Sequence, residues 1–255
     1  MIDIHCHILP GADDGPRDLD GSLAMARQAV EQGIDTIIAT PHHQNGRYIN
    51  PRQEVIERVK SFNHTLKQAD LELTILPGQE IRAYGELLED YERGEIVTLG
   101  GHSSYVFLEF PSSHVPRFAD TLVYDLQLKG LHPIIVHPER NAEIIEHPDK
   151  LYELVKKGAA AQLTAASLTG GFGRKIQRFC RQLLEANLAH FIASDAHNTS
   201  SRGFHMEEAY QFLEKKYGLD ALLYFSKNTE LLVQGRHIQR GAPDRVTKKK
   251  VLGIF

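Results

Sequence analysis

Residues 1–40, MIDIHCHILPGADDGPRDLDGSLAMARQAVEQGIDTIIAT, contain one complete strand, helix and strand in succession. Residues 2–6 form a short β-rich run. Alternation with period two places Asp3, His5 and His7 on one face and Ile2, Ile4 and Cys6 on the other. Leu19, Leu23, Ala26 and Val30 then follow at spacings of 4, 3 and 4, the pattern of an amphipathic helix, with Asp18 as its N-cap and Gly33 as its stop. The second β-rich run, 36–40, ends the unit.

The same alternation continues outward from this unit. Seven β-rich runs are expected at 2–6, 36–40, 73–76, 105–110, 133–136, 160–164 and 191–193. Helical patterns fill 53–68, 118–129, 151–157, 175–186 and 206–217, with Gly158 and Gly218 as stops. Strands alternating with helices imply a parallel sheet, and seven units in 255 residues suit one α/β domain, a distorted (β/α)7 TIM-like barrel, better than two separate domains. The barrel is expected to span residues 1–235. From Arg236 the periodicity is lost, and residues 236–255 read as a basic C-terminal tail ending in Lys248-Lys249-Lys250-Val251-Leu252-Gly253-Ile254-Phe255.

Composition narrows the function classes. The 29 Lys and Arg against 33 Asp and Glu give a formal charge of -4, which supplies no basic footprint for nucleic acid or an anionic membrane. No apolar run approaches the roughly 18 residues of a membrane span, and no basic segment followed by an apolar stretch opens the chain, so membrane insertion is not expected and a cytoplasmic location is. Cys6 and Cys180 read as free packing thiols in a reducing compartment. The unusual component is histidine, at 14 copies with no Trp.

His5 and His7 converge on one point if the first run is a strand. Taken alone, the pair is equally a metal site or two half-buried histidines at a strand end. The other strand ends decide between these. The second closes in Thr40-Pro41-His42-His43, the third leads to Gly78-Gln79-Glu80, and the fourth ends in Leu108-Glu109-Phe110-Pro111. The fifth ends in Val136-His137-Pro138-Glu139-Arg140 and the seventh in Ser194-Asp195-Ala196-His197. Six of seven strands thus deliver a metal-competent side chain where a parallel barrel builds its active site. Asp13-Asp14-Gly15 adds carboxylates on the same rim, with Asp14 favoured as a ligand over a simple turn role. His5, His7, Asp14, His42, Glu80, Glu109, His137, Asp195 and His197 are nine candidate ligands, more than one ion takes, so two or three ions are expected. Imidazole and carboxylate donors without a strand-end Cys suit Mn, Fe or Zn. Arg140 and Arg202 stand on rim loops where they can grip phosphate bidentately, and with Asp195 they are the candidate catalytic residues.

These motifs resemble the PHP (polymerase and histidinol phosphatase) superfamily of distorted seven-stranded barrels. Asp13-Asp14-Gly15, Leu76-Pro77-Gly78-Gln79-Glu80-Ile81, Glu109-Phe110-Pro111 and the basic tail more specifically resemble the bacterial CpsB/YwqE type of manganese-dependent protein-tyrosine phosphatase. The resemblance implies one ion held by His5, His7, Glu80 and Asp195, a second by Glu80, Glu109 and His137, and a third by Asp14, His42 and His197. It also implies attack on phosphorus by metal-bound hydroxide. The implied partner is a phosphotyrosine protein, a bacterial tyrosine autokinase or its substrates, tied to capsule and exopolysaccharide synthesis. A phenol leaving group of pKa about 10 asks little of a general acid. Arg47, Tyr48, Phe172 and Phe204 are rim candidates for gripping it, although each also reads as ordinary loop packing.

Other chemistries fit less well. The residue six past Cys6 is Ala12 and that past Cys180 is Ala186, so neither cysteine opens a C-x5-R phosphatase motif. Asp18-Leu19-Asp20-Gly21-Ser22 opens a helix and reads as a cap rather than an aspartyl-phosphate nucleophile. An amidohydrolase, also built on a strand-one H-x-H, wants a strand-end Lys that is missing here. The remaining rivals are another PHP phosphoesterase, histidinol-phosphatase-like or nuclease-like, and a metal-stabilised binding module that recruits an acidic partner with its tail. His43, His114, His132, His190 and His205 are expected to pack or support rather than ligate.

Overall fold

The computed structural model describes residues 1–247, and Lys248–Lys249–Lys250 with the apolar end of the tail lie outside the described residues. The first unit comprises β1 (Ile2–Cys6), α1 (Leu19–Glu31) and β2 (Thr36–Ala39). It continues through β3 (His42–His43), α2 (Arg52–Gln68), β4 (Thr74–Pro77), β5 (Glu80–Arg82) and α3 (Leu87–Glu92). The middle holds β6 (Tyr105–Glu109), α4 (Ala119–Leu128), β7 (His132–Val136), α5 (Ala142–Glu146), α6 (Asp149–Lys156) and β8 (Ala160–Thr164). The chain then forms α7 (Ala165–Thr169), α8 (Arg174–Glu185), β9 (Phe191–Ala193), α9 (Met206–Tyr217) and α10 (Leu219–Val233).

All strand pairs are parallel. They form a sheet of order β1-β2-β4 and a sheet of order β3-β5-β6-β7-β8-β9. Thr40-Pro41 separates β2 from β3, and Gly78-Gln79 separates β4 from β5, so each pair is one bent strand and the expected seven runs are recovered. Pro41 has no N–H to continue a ladder, but its carbonyl accepts from Glu80 N–H at 3.1 Å, which carries the pairing across the bend. At the seam the ladder is replaced by two hydrogen bonds, His7 N–H to Ala196 O and Asp195 N–H to His5 O, both 2.9 Å.

A large apolar cluster packs helices against the sheet, and a smaller one holds Ile4, Ile38, Leu99, Tyr105, Phe107, Ile134, Val136 and Leu232. Ile4 and Cys6 belong to different clusters, contrary to strict alternation, because the β1 register shifts between Asp3 and Cys6. Asp18 caps α1 by accepting from Gly21 N–H at 2.9 Å, as its position predicts. Helix α10, missing from the sequence-based expectation, follows Gly218 directly and buries Phe225, Leu231 and Leu232. Helices α3, α5 and α7 are too short to show a period.

Residues 236–247 are held against the barrel. Ile238 N–H donates to Tyr105 Oη at 3.0 Å, Arg240 donates to the carbonyls of Gly158 and Ala159, and Asn187 Nδ2 donates to Ala242 O at 3.0 Å. Arg245 lies 4.4 Å from the centre of the Tyr152 ring and pairs with Asp149 and Glu153.

Two predictions follow from this packing. A Cβ on Gly78 would meet Ile38 Cγ2 at 2.7 Å and Leu99 Cδ2 at 3.0 Å, so Gly78→Ala should destabilise the fold by about 1–3 kcal/mol in a urea titration. His190 is buried with Nδ1 accepting from Ala161 N–H, and burial, reinforced by Arg240, pushes its pKa down to about 3. The unfolded chain therefore gains a proton below about pH 6.5 that the folded chain refuses, and stability falls as the pH falls. His190→Asn should flatten that decline between pH 7 and 5 in parallel denaturant titrations.

Candidate metal centre

The C-terminal strand ends bring the histidines and carboxylates together. His5 Nε2 and His7 Nε2 stand 3.3 Å apart. Both face Glu80 Oε2, at 3.5 and 3.3 Å, and Asp195 Oδ1, at 3.4 and 3.2 Å. Metal bonds of about 2.1 Å in a tetrahedral arrangement separate ligands by roughly 3.4 Å, so this spacing fits one cation. A second group joins His7 and Asp14 with His42 and His197, whose Nε2 atoms each lie 3.3 Å from Asp14 Oδ1. A third joins His42 with Glu80 and Glu109, its Nδ1 lying 2.9 Å from Glu80 Oε2 and 3.7 Å from Glu109 Oε2.

The donors fit metal ions better than they fit one another. Glu80 Oε2, Glu109 Oε2, His42 Nδ1 and His197 Nε2 are buried without a hydrogen-bond partner. His42 Nδ1 and Glu80 Oε2 are close but lack hydrogen-bond geometry. Polar atoms left unmatched in a protein interior are costly, and four gathered in one small volume point to cations as their partners. The group expected of Glu80, Glu109 and His137 differs in detail. His137 Nε2 meets the other oxygen of Glu80, Oε1, at 2.6 Å, while His42 stands beside Glu80 and Glu109. His42 thus faces two of the groups.

Strain marks the same positions. His137 (φ 35°) and Asp195 (φ 55°) occupy left-handed backbone, uncommon for residues other than glycine although Asp and His enter it more readily than most. His137 is held there by its N–H to Gln162 O at 2.9 Å, and Asp195 by its N–H to His5 O.

Electrostatics draws positive charge into the cluster. Burial opposes ionisation of Glu80, yet His42 and His5 hold its carboxyl well below the usual range. Burial likewise opposes ionisation of Asp195, and Arg140 and His5 overcome it. For Glu109 burial wins and the neighbouring Glu80 adds to it, raising its pKa to about 7. Burial disfavours the His42 cation, but Glu80 and Asp14 raise its pKa to about 10. Nearby carboxylates thus favour protons on His7 and His42, whereas burial lowers the pKa of His137 and of His197, and a metal ion would compete for the protonated sites.

Three supports orient the rings. Asp13 Oδ2 accepts from His7 Nδ1 at 2.6 Å, Gln162 Oε1 from His5 Nδ1 at 2.9 Å, and Asp195 O from His197 Nδ1 at 2.9 Å. Each fixes the tautomer that turns the opposite nitrogen towards the cluster. Asp13 also accepts from Gly15 N–H and His42 N–H, and despite burial these bonds and His7 lower its pKa to about 2. The sequence shows Asp13 as a rim carboxylate without revealing this role. Gln162 comes from β8, the one strand without an expected ligand, and the signal for it was a polar side chain within a buried run.

All nine predicted ligands meet at this end of the barrel. Arg140 Nη1 lies 2.8 Å from Asp195 Oδ2, and Arg202 Nη1 lies 2.9 Å from Asp14 Oδ2. Arg82, missed in the sequence, lies 3.2 Å from Glu109 Oε1. Asp3, expected on the face of His5 and His7, instead accepts from Ser194 N–H and Oγ–H, for the same bulge diverts it. Tyr48 stacks near His42, with ring centres 6.2 Å apart, and Phe172 is exposed beneath Arg140. Phe204 is buried in the main core and is not a rim residue. Cys6 and Cys180 are buried free thiols.

A Cβ on Gly15 would lie 2.1 Å from His7 O, a backbone atom that cannot yield. Gly15→Ala should therefore displace the Asp13-Asp14 loop and lower bound metal while leaving the far-ultraviolet circular dichroism intact. Asp13→Ala should weaken metal affinity by about 10- to 100-fold in a chelator competition titration.

Comparison with known proteins agrees with this geometry. Tyrosine-protein phosphatase YwqE of Bacillus subtilis is 51% identical over 255 residues, covering 100% of both chains. Putative tyrosine-protein phosphatase CapC of Staphylococcus aureus is 36% identical over 98% of each. A crystal structure of YwqE, described with CpsB of Streptococcus pneumoniae as a unique metal-dependent tyrosine phosphatase, matches with a TM-score of 0.95 over 97% of this chain and 100% of that one. The family model for capsular polysaccharide synthesis, CpsB/CapC, matches residues 1–234, and the chain belongs to that family.

Proposed function

We propose that this chain is a metal-dependent protein-tyrosine phosphatase that binds two or three ions, most favourably manganese, with iron and zinc as alternatives. The ions would be held by His5, His7, Glu80 and Asp195, by His42, Glu80 and Glu109 with His137 alongside, and by Asp14, His42 and His197 with His7. When bound they supply charge neutralisation at phosphate oxygens and an activated water. The nitrogen and oxygen donor set favours these metals.

The carrying observation is the charge balance of the cluster. With the imidazoles neutral, as metal ligands must be, Asp13, Asp14, Glu80, Glu109 and Asp195 face Arg82, Arg140 and Arg202, which leaves two negative charges uncompensated. Two divalent ions reverse that to two positive charges, and a phosphate monoester dianion matches them. Arg140 and Arg202 are the groups of this chain that grip its oxygens. Both are partly exposed, and each is tethered to a carboxylate of the cluster rather than buried in a closed pair. Their planar forks favour a tetrahedral oxyanion over a planar carbonyl group. Asp13 and Gln162 hold imidazole orientation, while Asp195 links the ion group to Arg140. A phenol leaves readily, so an aryl ester asks little of a general acid.

The likeness to YwqE and CapC supports phosphotyrosine protein as the substrate class, and the family's description supports a role in capsule or exopolysaccharide synthesis. We extend this to a bacterial tyrosine autokinase or its targets as the partner, in the cytoplasm. No described helix is long and apolar enough to cross a membrane.

Metal analysis of purified, metal-replete protein should return at least two ions per chain, with hydrolysis of p-nitrophenyl phosphate and a phosphotyrosyl peptide. His5→Ala and Asp195→Ala should each lower kcat by about a hundredfold or more and reduce bound metal. Fewer than two ions, or aryl phosphates left untouched, would sink the reading.

A further inference from the structure

A slot opens beside the metal centre and shares Glu109 and His137 with it. It encloses about 260 Å³ between the C-terminal ends of β6 and β7 and helix α5. Glu109 and His137 form its inner lip, and Arg140 and Ser112 flank its mouth. Its walls are apolar, formed by Phe110, Ile135, Pro138 and Ile144, all buried.

The slot is pre-formed. Asn141 Nδ2 donates to Pro111 O at 2.8 Å and His114 O at 2.9 Å, while its Oδ1 accepts from Ile144 N–H at 2.9 Å. Ala142 N–H donates to Ser112 O at 2.8 Å, and Glu143 Oε2 accepts from Val115 N–H at 2.6 Å. Four hydrogen bonds therefore strap residues 111–115 to the start of α5, the fifth caps that helix, and together they keep the wall from collapsing inward. At the mouth Arg140 is pinned between Asp195 Oδ2, at 2.8 Å, and the Phe172 ring, 5.5 Å from its centre.

We propose that this slot receives the aromatic ring of the phosphomonoester, so that it selects aryl over alkyl phosphates. The inference rests on the phosphatase reading and names where the substrate's ring goes. A phosphate gripped by Arg140 between Glu109 and His137 leaves its ester oxygen at the lip of the slot. A cavity of about 150 Å³ already accepts benzene, so a phenyl ring fits here with room for the attached carbon. The apolar walls gain by covering that ring. A seryl or threonyl phosphate is too short to reach them and gains nothing.

The test is equilibrium binding of benzylphosphonate and methylphosphonate to the metal-loaded protein by calorimetry, with metal content measured in every sample. Wild type should bind benzylphosphonate about 10- to 100-fold more tightly than methylphosphonate. Ser112→Trp, at the exposed mouth, and Ile144→Phe, in the wall, should each remove that preference while methylphosphonate affinity and metal content stay the same. No preference in wild type, or a preference that survives both substitutions, overturns the proposal. So does an equal loss for both ligands in Ser112→Trp, because a plugged slot spares the smaller one. Failure of wild type to turn over aryl phosphates would count against the phosphatase reading alone, since the binding comparison still decides the slot.

Discussion

The structure depends on one electrostatic constraint: five carboxylates and five imidazoles are held so close at one end of a barrel that they need cations between them. Separated from water, such a set repels itself unless protons or metal ions intervene. Much of the surrounding architecture serves to hold it in place. The register shift in β1, the bends at Pro41 and Gly78, and the left-handed backbone at His137 and Asp195 are local costs that aim side chains inward. Compensation comes from the apolar layers on either side of the strands.

A common logic connects the ligands to their supports. Three rings that face the cluster through one nitrogen, those of His7, His5 and His197, are fixed through the other by Asp13, Gln162 and the Asp195 carbonyl. Asp13 additionally ties His42 N–H to the loop after β1, so two strand ends share one carboxylate. Binding an ion to such a pre-oriented set costs little conformational entropy. The arginines extend the logic outward, joining ion-facing carboxylates to the solvent-facing rim where an anionic substrate arrives.

Between the rim and α5 the same loops acquire a second use. The segment after β6 carries Glu109 into the cluster and then Phe110 and Ser112 to the adjacent slot. The segment after β7 carries His137 inward, Arg140 to the rim and Asn141 to the strap that holds the slot open. On the proposed reading, charge recognition and ring recognition would share a short stretch of chain, coupling where phosphate sits to where its substituent points.

The alternation of apolar runs and helical periods set the fold class, and the placement of metal-competent residues after those runs set the ligands, because both are local patterns in the chain. His5, His7, Glu80, Asp195 and their companions were readable for that reason, as were the Asp18 cap and the rim position of Arg140. Tertiary structure alone decided which candidate ligands stand together, since His42 reaches Glu80 and Glu109 only through the bends of neighbouring strands. It also decided the supports. Gln162 acts on His5 across 157 residues, Arg82 reaches Glu109 from an adjoining strand, and Asp3 turns to Ser194 because a bulge breaks the alternation. Phe204 looked like a rim aromatic and is core, and α10 escaped notice because its apolar residues do not lie on one narrow stripe. Local pattern specifies elements and their ends; distances between ends arise only when the strands are bent, registered and packed beside one another.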